Sequence, residues 1–441
     1  MLPSLLARDI QQGIKQFLIT GFEPADGFFH GVMRRFVDNE PAWMKGPYLQ
    51  VGLPFRHDSA GRDFFSGFQT ADPAYTHQRE AWQCLGSDRL AAHTLVATGT
   101  GSGKTECFVY PALDHCARAR QAGEGGITDR DTMRRHPPDI LLTNYKMLDY
   151  LLIRPRDRQL WEHNSPTTLR YVVVDELHTF DGAQGTDLAL LLRRLQARLH
   201  TPAGHLICAG TASTLGDTAD TAPLREYARQ VFGVPFDAHA VITENRLSAA
   251  EFLGDAAIEH VLHPRADLGT VLDPAQYTSP EATLAAWVPV FFPELPVPTD
   301  VSATKFRVAL GAWLKRHLLF ANLIRLLKGR VSSLQELHQQ MQGPLPESAR
   351  AHIQLVLDAL LALVAWALAP DRQGPLVTLR LQVWMRELRR MVGKVTSDPA
   401  RVVLRADKDL KARPEGLYLP LIQCSECHTT GWLSRLAPAL R

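Results

Sequence analysis

The stretch Thr94-Leu95-Val96-Ala97-Thr98-Gly99-Thr100-Gly101-Ser102-Gly103-Lys104-Thr105 constrains this chain more than any other. It reads as a buried strand running into a Gly-rich loop, and a helical pattern follows with Phe108, Val109, Leu113 and Cys116. Small residues let backbone N–H groups close around phosphate oxygens at a helix N-terminus, where the helix dipole also favours an anion. Thr100, Gly101, Ser102 and Gly103 would line that cradle. Lys104 would reach the β and γ phosphates, and the Thr105 hydroxyl would ligate Mg²⁺. The strict pattern asks for Gly five residues before Gly103, and Thr98 stands there. A Gly-rich turn without a ligand is the plainer alternative, but strand, loop, Lys-Thr and helix in that order argue against it.

A second apolar run, Tyr171-Val172-Val173-Val174, ends in Asp175-Glu176-Leu177-His178. A strand that ends in two acids places them at the carboxyl edge of a sheet, where α/β folds bind ligands. Asp175 would hold the Mg²⁺ shell, and Glu176 would orient the water that attacks the γ phosphate. His178 either couples the nucleotide to a bound strand or satisfies a local hydrogen bond. Leu95-Val96-Ala97, Ile140-Leu141-Leu142, Tyr171 to Val174 and Leu206-Ile207-Cys208-Ala209 all read as strands buried on both faces, the mark of a parallel α/β sheet.

The rest of the 441 residues divides by texture. Residues 1–70 form an N-terminal accessory region, with a helical pattern at Ile10, Ile14, Phe17 and Leu18. An aromatic stretch ending in Phe64, Phe65 and Phe68 follows, and its rings read as core anchors. Residues 71–217 carry the nucleotide motifs, 218–420 are mainly helical, and 421–441 open a possible zinc module. The run Leu355 to Ala369 contains Asp358 and is too short to span a bilayer, so it reads as a core helix. The N-terminus lacks the basic start of a secretory signal. Lys plus Arg number 48 and Asp plus Glu 46, a balance that excludes a polybasic tail and leaves nucleic-acid binding to local patches. Arg134-Arg135, Arg193-Arg194 with Arg198, and Arg386, Arg389, Arg390 with Lys394 are such clusters, though Arg faces on helices are more often solvated surface. Six cysteines make no disulfide scaffold and suggest a reducing, cytoplasmic setting. Cys424-Ser425-Glu426-Cys427-His428 supplies half of a tetrahedral zinc site, or two reduced thiols in a turn.

These motifs together resemble superfamily 2 helicases. Thr100 to Thr105 is similar to their motif I, and Asp175-Glu176-Leu177-His178 to the DExH form of motif II. The resemblance implies a RecA-like P-loop NTPase sheet that binds ATP with Mg²⁺ and moves on DNA, RNA being the other candidate. Tyr75-Thr76-His77-Gln78 resembles the Q motif, which gives Gln78 the adenine edge; a surface Gln on an entry helix is the plain alternative. Cys208 to Gly216 resembles motif III with Ser and Ala exchanged, and assigns coupling roles to Ser213 and Thr214. Pro138 to Leu148 is similar to the strand-contacting motif of MrfA/YprA-like helicases, so Thr143, Asn144 and Lys146 would touch nucleic-acid phosphates. Gly182-Ala183-Gln184-Gly185, with Leu188, Leu191, Leu192, Leu195 and Leu199 on one helix face, resembles the same group. Lys45 to Leu49 and the 71–217 stretch look most like the large helicase of Druantia-type anti-phage systems, which implies a defence role with partner proteins, or DNA repair, and no membrane.

The resemblance also implies parts that the sequence lacks. No apolar strand equivalent to motif Ia lies between Ile127 and Ile140. The second RecA-like domain's Gln-x-x-Gly-Arg-x-x-Arg signature is absent, so the chain looks like the front portion of a longer motor. The other readings are an ATP-dependent machine unrelated to nucleic acid and a degenerate nucleotide-binding scaffold or interaction fragment. Arginine fingers supply ~10³–10⁵ in rate, so these 441 residues alone should show ATPase barely above background. A phosphate-release assay reading turnover typical of helicases would contradict that expectation.

Overall fold

Short apolar strands joined by amphipathic helices can bury both sheet faces only by layering helices on each side, and residues 55–247 do so. The computed structural model describes residues 2–24, 26–39, 43–58, 64–65, 68–70, 72–86, 90–99, 101–119, 136–162, 164–213, 220–255, 257–296, 300–370, 374–386, 388, 391–410, 416–424, 426–427 and 429–434. Thr100, Thr214, His428, Arg389, Arg390 and the stretch 120–135, with Arg134, Arg135 and most of the expected motif Ia gap, lie outside the described residues. The strands are β1 Met44–Gly52, β2 Thr94–Ala97, β3 Tyr171–Val174, β4 Ile207–Ala212, β5 Val241–Thr243, β6 Val331–Ser333, β7 Thr378–Met385, β8 Met391–Lys394, β9 Leu404–Ala406, β10 Tyr418–Gln423 and β11 Thr430–Trp432. The chain forms two units, Phe55–Leu247 and Met1–Pro54 with Ser248–Arg441.

In the first unit the sheet order is β3-β4-β2-β5, and every described pairing is parallel. Ala97 lies opposite Ala212 and Thr243, and Val174 opposite Gly210, so the four carboxyl ends share one edge. Successive residues of β2 point to opposite faces, as a strand requires. Leu95 and Ala97 pack with Leu188, Leu192, Leu224 and Phe232, while Val96 packs with Ala81, Cys107 and Ile242. The helix Gly182–Leu199 buries Leu188, Leu191, Leu192, Leu195 and Leu199, the face its spacing predicts. A Cβ at Gly185 would stand 2.9 Å from both the Phe180 carbonyl oxygen and the Tyr227 hydroxyl, which explains the second glycine of that motif. Phe64, Phe65 and Phe68 pack on Trp82 and Tyr110 and are core anchors as expected.

One expected strand does not form. Ile140 to Leu142 has no strand structure, and Leu142 is 87% exposed. A strand exists only by its ladder, and among the described residues β3 pairs with β4 alone. The following helix Tyr145–Ile153 buries none of its residues.

The second unit holds two antiparallel sheets, β6-β1-β7 and β11-β10-β8-β9. Helices Pro280–Phe291, Thr304–Lys315, Leu318–Leu327 and Ile353–Trp366 surround an apolar core. The last of these is the core helix expected from the sequence, with Val356 to Val364 all buried. Among the described residues no helix is long and apolar enough to cross a membrane. Asp358, on the buried helix, forms an ion pair with Arg8 on the helix Pro3–Phe22. His317 is wholly buried and accepts the Leu319 N–H on Nδ1 at 3.2 Å. Burial, and then nearby His260, push its pKa down to about 3.

Two stability outcomes follow from these groups. Removing Arg8 strands a buried carboxylate, so Arg8→Met should cost about 1–3 kcal/mol, less than a fully buried pair because the Arg8 side chain is 36% exposed. A urea titration showing no loss would rule this out. His317 stays neutral in the folded chain, whereas an unfolded imidazole protonates near pH ~6.5. Stability should therefore fall as pH drops from about 6.5 towards 3, by up to ~1.4 kcal/mol per unit. His317→Asn, which keeps a side-chain acceptor, should lose this slope; unchanged slopes between pH 7 and 5 would exclude the assignment.

Candidate nucleotide site at the carboxyl edge

The loop after β2 bends through Gly101 at φ 78° and Gly103 at φ 72°, a region that L side chains avoid. A Cβ on Gly103 would also collide with the Gln78 and Glu106 side chains. Such a loop turns N–H groups inward and needs its remaining polar groups satisfied from behind. Thr98, where the strict pattern has glycine, is wholly buried, and its Oγ1 lies 2.7 Å from Ser102 Oγ, closing the loop across its base. Burial lowers the pKa of His77 and so favours the neutral ring. Its Nε2 then donates to the Ser102 carbonyl at 2.7 Å. Gln78 accepts the Tyr75 N–H on Oε1 at 2.9 Å and donates from Nε2 to the Gly103 carbonyl at 3.3 Å and to Glu106 at 3.4 Å. Gln78 thereby braces the loop. Gly99 N–H donates to Glu244, just beyond β5, at 3.0 Å.

The helix Lys104–Ala119 follows at once, so Lys104 and Thr105 stand on its first turn. Lys104 Nζ lies 2.8 Å from Glu176 Oε1, with the two side chains 13% and 45% exposed. Glu176 sits at φ 51°, a left-handed conformation that only its surroundings maintain. Its N–H donates to Thr211 Oγ1 at 2.9 Å, and Thr211 in turn donates to Asp175. Thr179 donates to the Glu176 carbonyl from its N–H at 2.9 Å and from its hydroxyl at 2.8 Å. His178 Nδ1 lies 3.4 Å from Glu176 Oε2 and 3.4 Å from the Ser213 N–H. One nitrogen cannot donate to the acid and accept from the amide together, so the tautomer selects one partner.

The edge thus gathers Lys104, Asp175, Glu176, His178 and Ser213. Sequence reasoning placed Thr211 and His77 inside motifs but gave them no role, and it did not single out Glu244. Thr211 carries a signal in hindsight, as the first hydroxyl at the end of β4. Thr143, Asn144 and Lys146 are exposed near the start of the helix Tyr145–Ile153. Asn144 caps that helix, Oδ1 accepting the Met147 N–H at 2.8 Å, and Lys146 Nζ lies 4.8 Å from the Tyr145 ring centroid. Cys424 and Cys427 are exposed in the β10–β11 turn of the other unit. The Thr429 hydroxyl, then its N–H and the Cys424 thiol, bring the Cys427 thiol down to about 7. Among the described residues no three His, Cys, Asp or Glu side chains group to hold a metal.

A parallel sheet with a phosphate loop after one strand and an acid pair after another defines the RecA-like P-loop NTPase class. No family model matches the chain. It is 39% identical over 112 residues to Druantia protein DruE of Escherichia coli, covering 22% of this chain and 6% of that protein. It is 33% identical over 120 residues to the ATP-dependent helicase Lhr-Core of Methanothermobacter thermautotrophicus, covering 27% and 12%. An ATP-dependent helicase of Bacillus subtilis, YprA, is 27% identical over 203 residues, covering 37% and 25%. The chain thus matches a quarter or less of the length of each of these relatives. A crystal structure of the DUF1998 helicase MrfA bound to DNA and AMPPNP aligns at a TM-score of 0.34 and 20% identity, covering 48% of this chain and 34% of that one. Over these stretches the chain is similar to helicases of the Lhr and YprA group.

Proposed function

We propose that the chain is the ATP-binding part of a DExH helicase that couples hydrolysis to movement on DNA, in anti-phage defence or DNA repair. The observation that carries this reading is the 2.8 Å contact between Lys104 and Glu176, which brings the cation of one motif to the acid of another. The donor set fits Mg²⁺-bound nucleotide. The loop is bent at two glycines, and Asp175 and Thr105 are exposed at its mouth. Mg²⁺ keeps several waters and takes most other ligands from phosphates, so two protein oxygens suffice. ATP supplies the anhydride whose cleavage drives movement. Lys104 exchanges Glu176 for the β and γ phosphates, and Glu176, released, orients a water and takes its proton. His178 then passes from Glu176 to Ser213, linking the acid pair to the segment after β4.

Thr143, Asn144 and Lys146 suit phosphate contacts on a single strand, because donors at an exposed helix start need no base-reading geometry. The match to Druantia protein DruE agrees with the Druantia-type resemblance of the sequence, from which the defence setting and its partner proteins are inferred. Zinc at Cys424 and Cys427 would need two further ligands. A scaffold that binds nucleotide without turnover is the second reading, in which Lys104 keeps its contact with Glu176.

Calorimetry with a non-hydrolysable ATP analogue tests the assignment. Lys104→Ala should weaken binding by ~1.5–3 kcal/mol, while Glu176→Gln should preserve it and abolish turnover. Equal affinities of wild type and Lys104→Ala would remove the phosphate-loop reading. Single-stranded DNA binding should weaken steeply with added salt.

A further inference from the structure

An acid behind an anion-binding loop is out of place unless something neutralises it. Glu244 is such an acid, its Oε2 accepting the Gly99 N–H at 3.0 Å across 145 residues of sequence. Arg246 covers it on both oxygens, with Nε 3.0 Å from Oε1 and its terminal NH₂ 3.3 Å from Oε2. The pair is mostly shielded, at 21% and 22% exposure, so its charges are only partly screened. Arg246 is itself held in place, its guanidinium 3.8 Å from the Phe55 ring centroid. Phe55 bridges to Arg246 by its backbone, and its ring packs on Tyr75 and His77 at the start of the helix that carries Gln78. Both charges reach the loop's supports. At His77, where desolvation dominates, Glu244 acts to raise the pKa and Arg246 to lower it.

We propose that Glu244 and Arg246 are positioning residues for the phosphate loop, Glu244 anchoring its first glycine and Arg246 cancelling a charge that would otherwise repel nucleotide phosphates. This rests on the nucleotide reading above. Glu244 fixes where Gly99 sits, and Arg246 lets an acid do so beside a polyanion. Their effects on binding therefore have opposite electrostatic signs. Glu244→Gln keeps an acceptor for Gly99 and removes the negative charge. Arg246→Ala removes the guanidinium that covers that charge.

The test measures binding of a non-hydrolysable ATP analogue, ADP and adenosine to the full chain by calorimetry at low salt. Wild type and Lys104→Ala are run first, so that failure of the nucleotide reading shows before any variant of this pair is made. Arg246→Ala should weaken the ATP analogue on the order of tenfold, ADP less, and adenosine little, because the loss scales with ligand charge. Glu244→Gln should match wild type or bind more tightly. The double variant Glu244→Gln with Arg246→Ala should recover most of the loss, which a general unfolding of the loop would not allow. Losses equal in both single variants and independent of phosphate number would overturn the proposal. So would a double variant no better than Arg246→Ala alone.

Discussion

A loop that wraps an anion with its backbone must point N–H groups inward, and this leaves its carbonyls and flanking amides facing protein. Each outward group buried without a partner would cost about 1–3 kcal/mol. Much of the 55–247 unit is arranged around that requirement. His77 and Gln78 take the carbonyls of Ser102 and Gly103, Thr98 ties to Ser102 inside the turn, and Glu244 takes the Gly99 amide. The parallel sheet makes this possible because it ends β2, β3, β4 and β5 on one edge. Supports from opposite ends of the unit therefore converge on one turn.

The residues of the candidate nucleotide site were legible in the sequence because their signals are local. Lys104 follows the glycines within the same loop, and Asp175 and Glu176 close an apolar strand. Strand against helix was equally readable where apolar runs were buried on both faces, as at β2 and β4. What was not legible is pairing at a distance. Glu244 and Gly99, or Arg8 and Asp358, are joined only by the fold, and no spacing marks one as the other's partner. Ile140 to Leu142 failed for the converse reason. Its composition suits a strand, but a strand needs a ladder, and composition does not say whether one is on offer. β7 was missed although Thr378 to Val383 alternates polar and apolar residues, the mark of a half-buried strand, and the shorter strands after it carry a weaker alternation.

Gln78 uses both ends of its amide within the protein. Its oxygen caps the helix Thr76–Leu85 while its nitrogen reaches Gly103 and Glu106. A contact with a base would draw on the same amide and so would compete with the bracing of the loop. His178 is placed similarly between Glu176 and Ser213. In both places one nitrogen faces two partners.

The connectivity of the two units has a consequence for biogenesis. The 55–247 unit is an insertion whose ends meet, Phe55 bridging Arg246 and the Arg56 N–H donating to the Asn245 carbonyl at 2.8 Å. As the chain emerges from the ribosome, the parallel sheet has all of its described strands once β5 is made. β1, made earlier, must wait for β6 and β7, the latter at Thr378–Met385, before its ladder can close on either side. The older part of the polypeptide is thus the later to fold, and its exposed edge during that interval is where a chaperone would be expected to act.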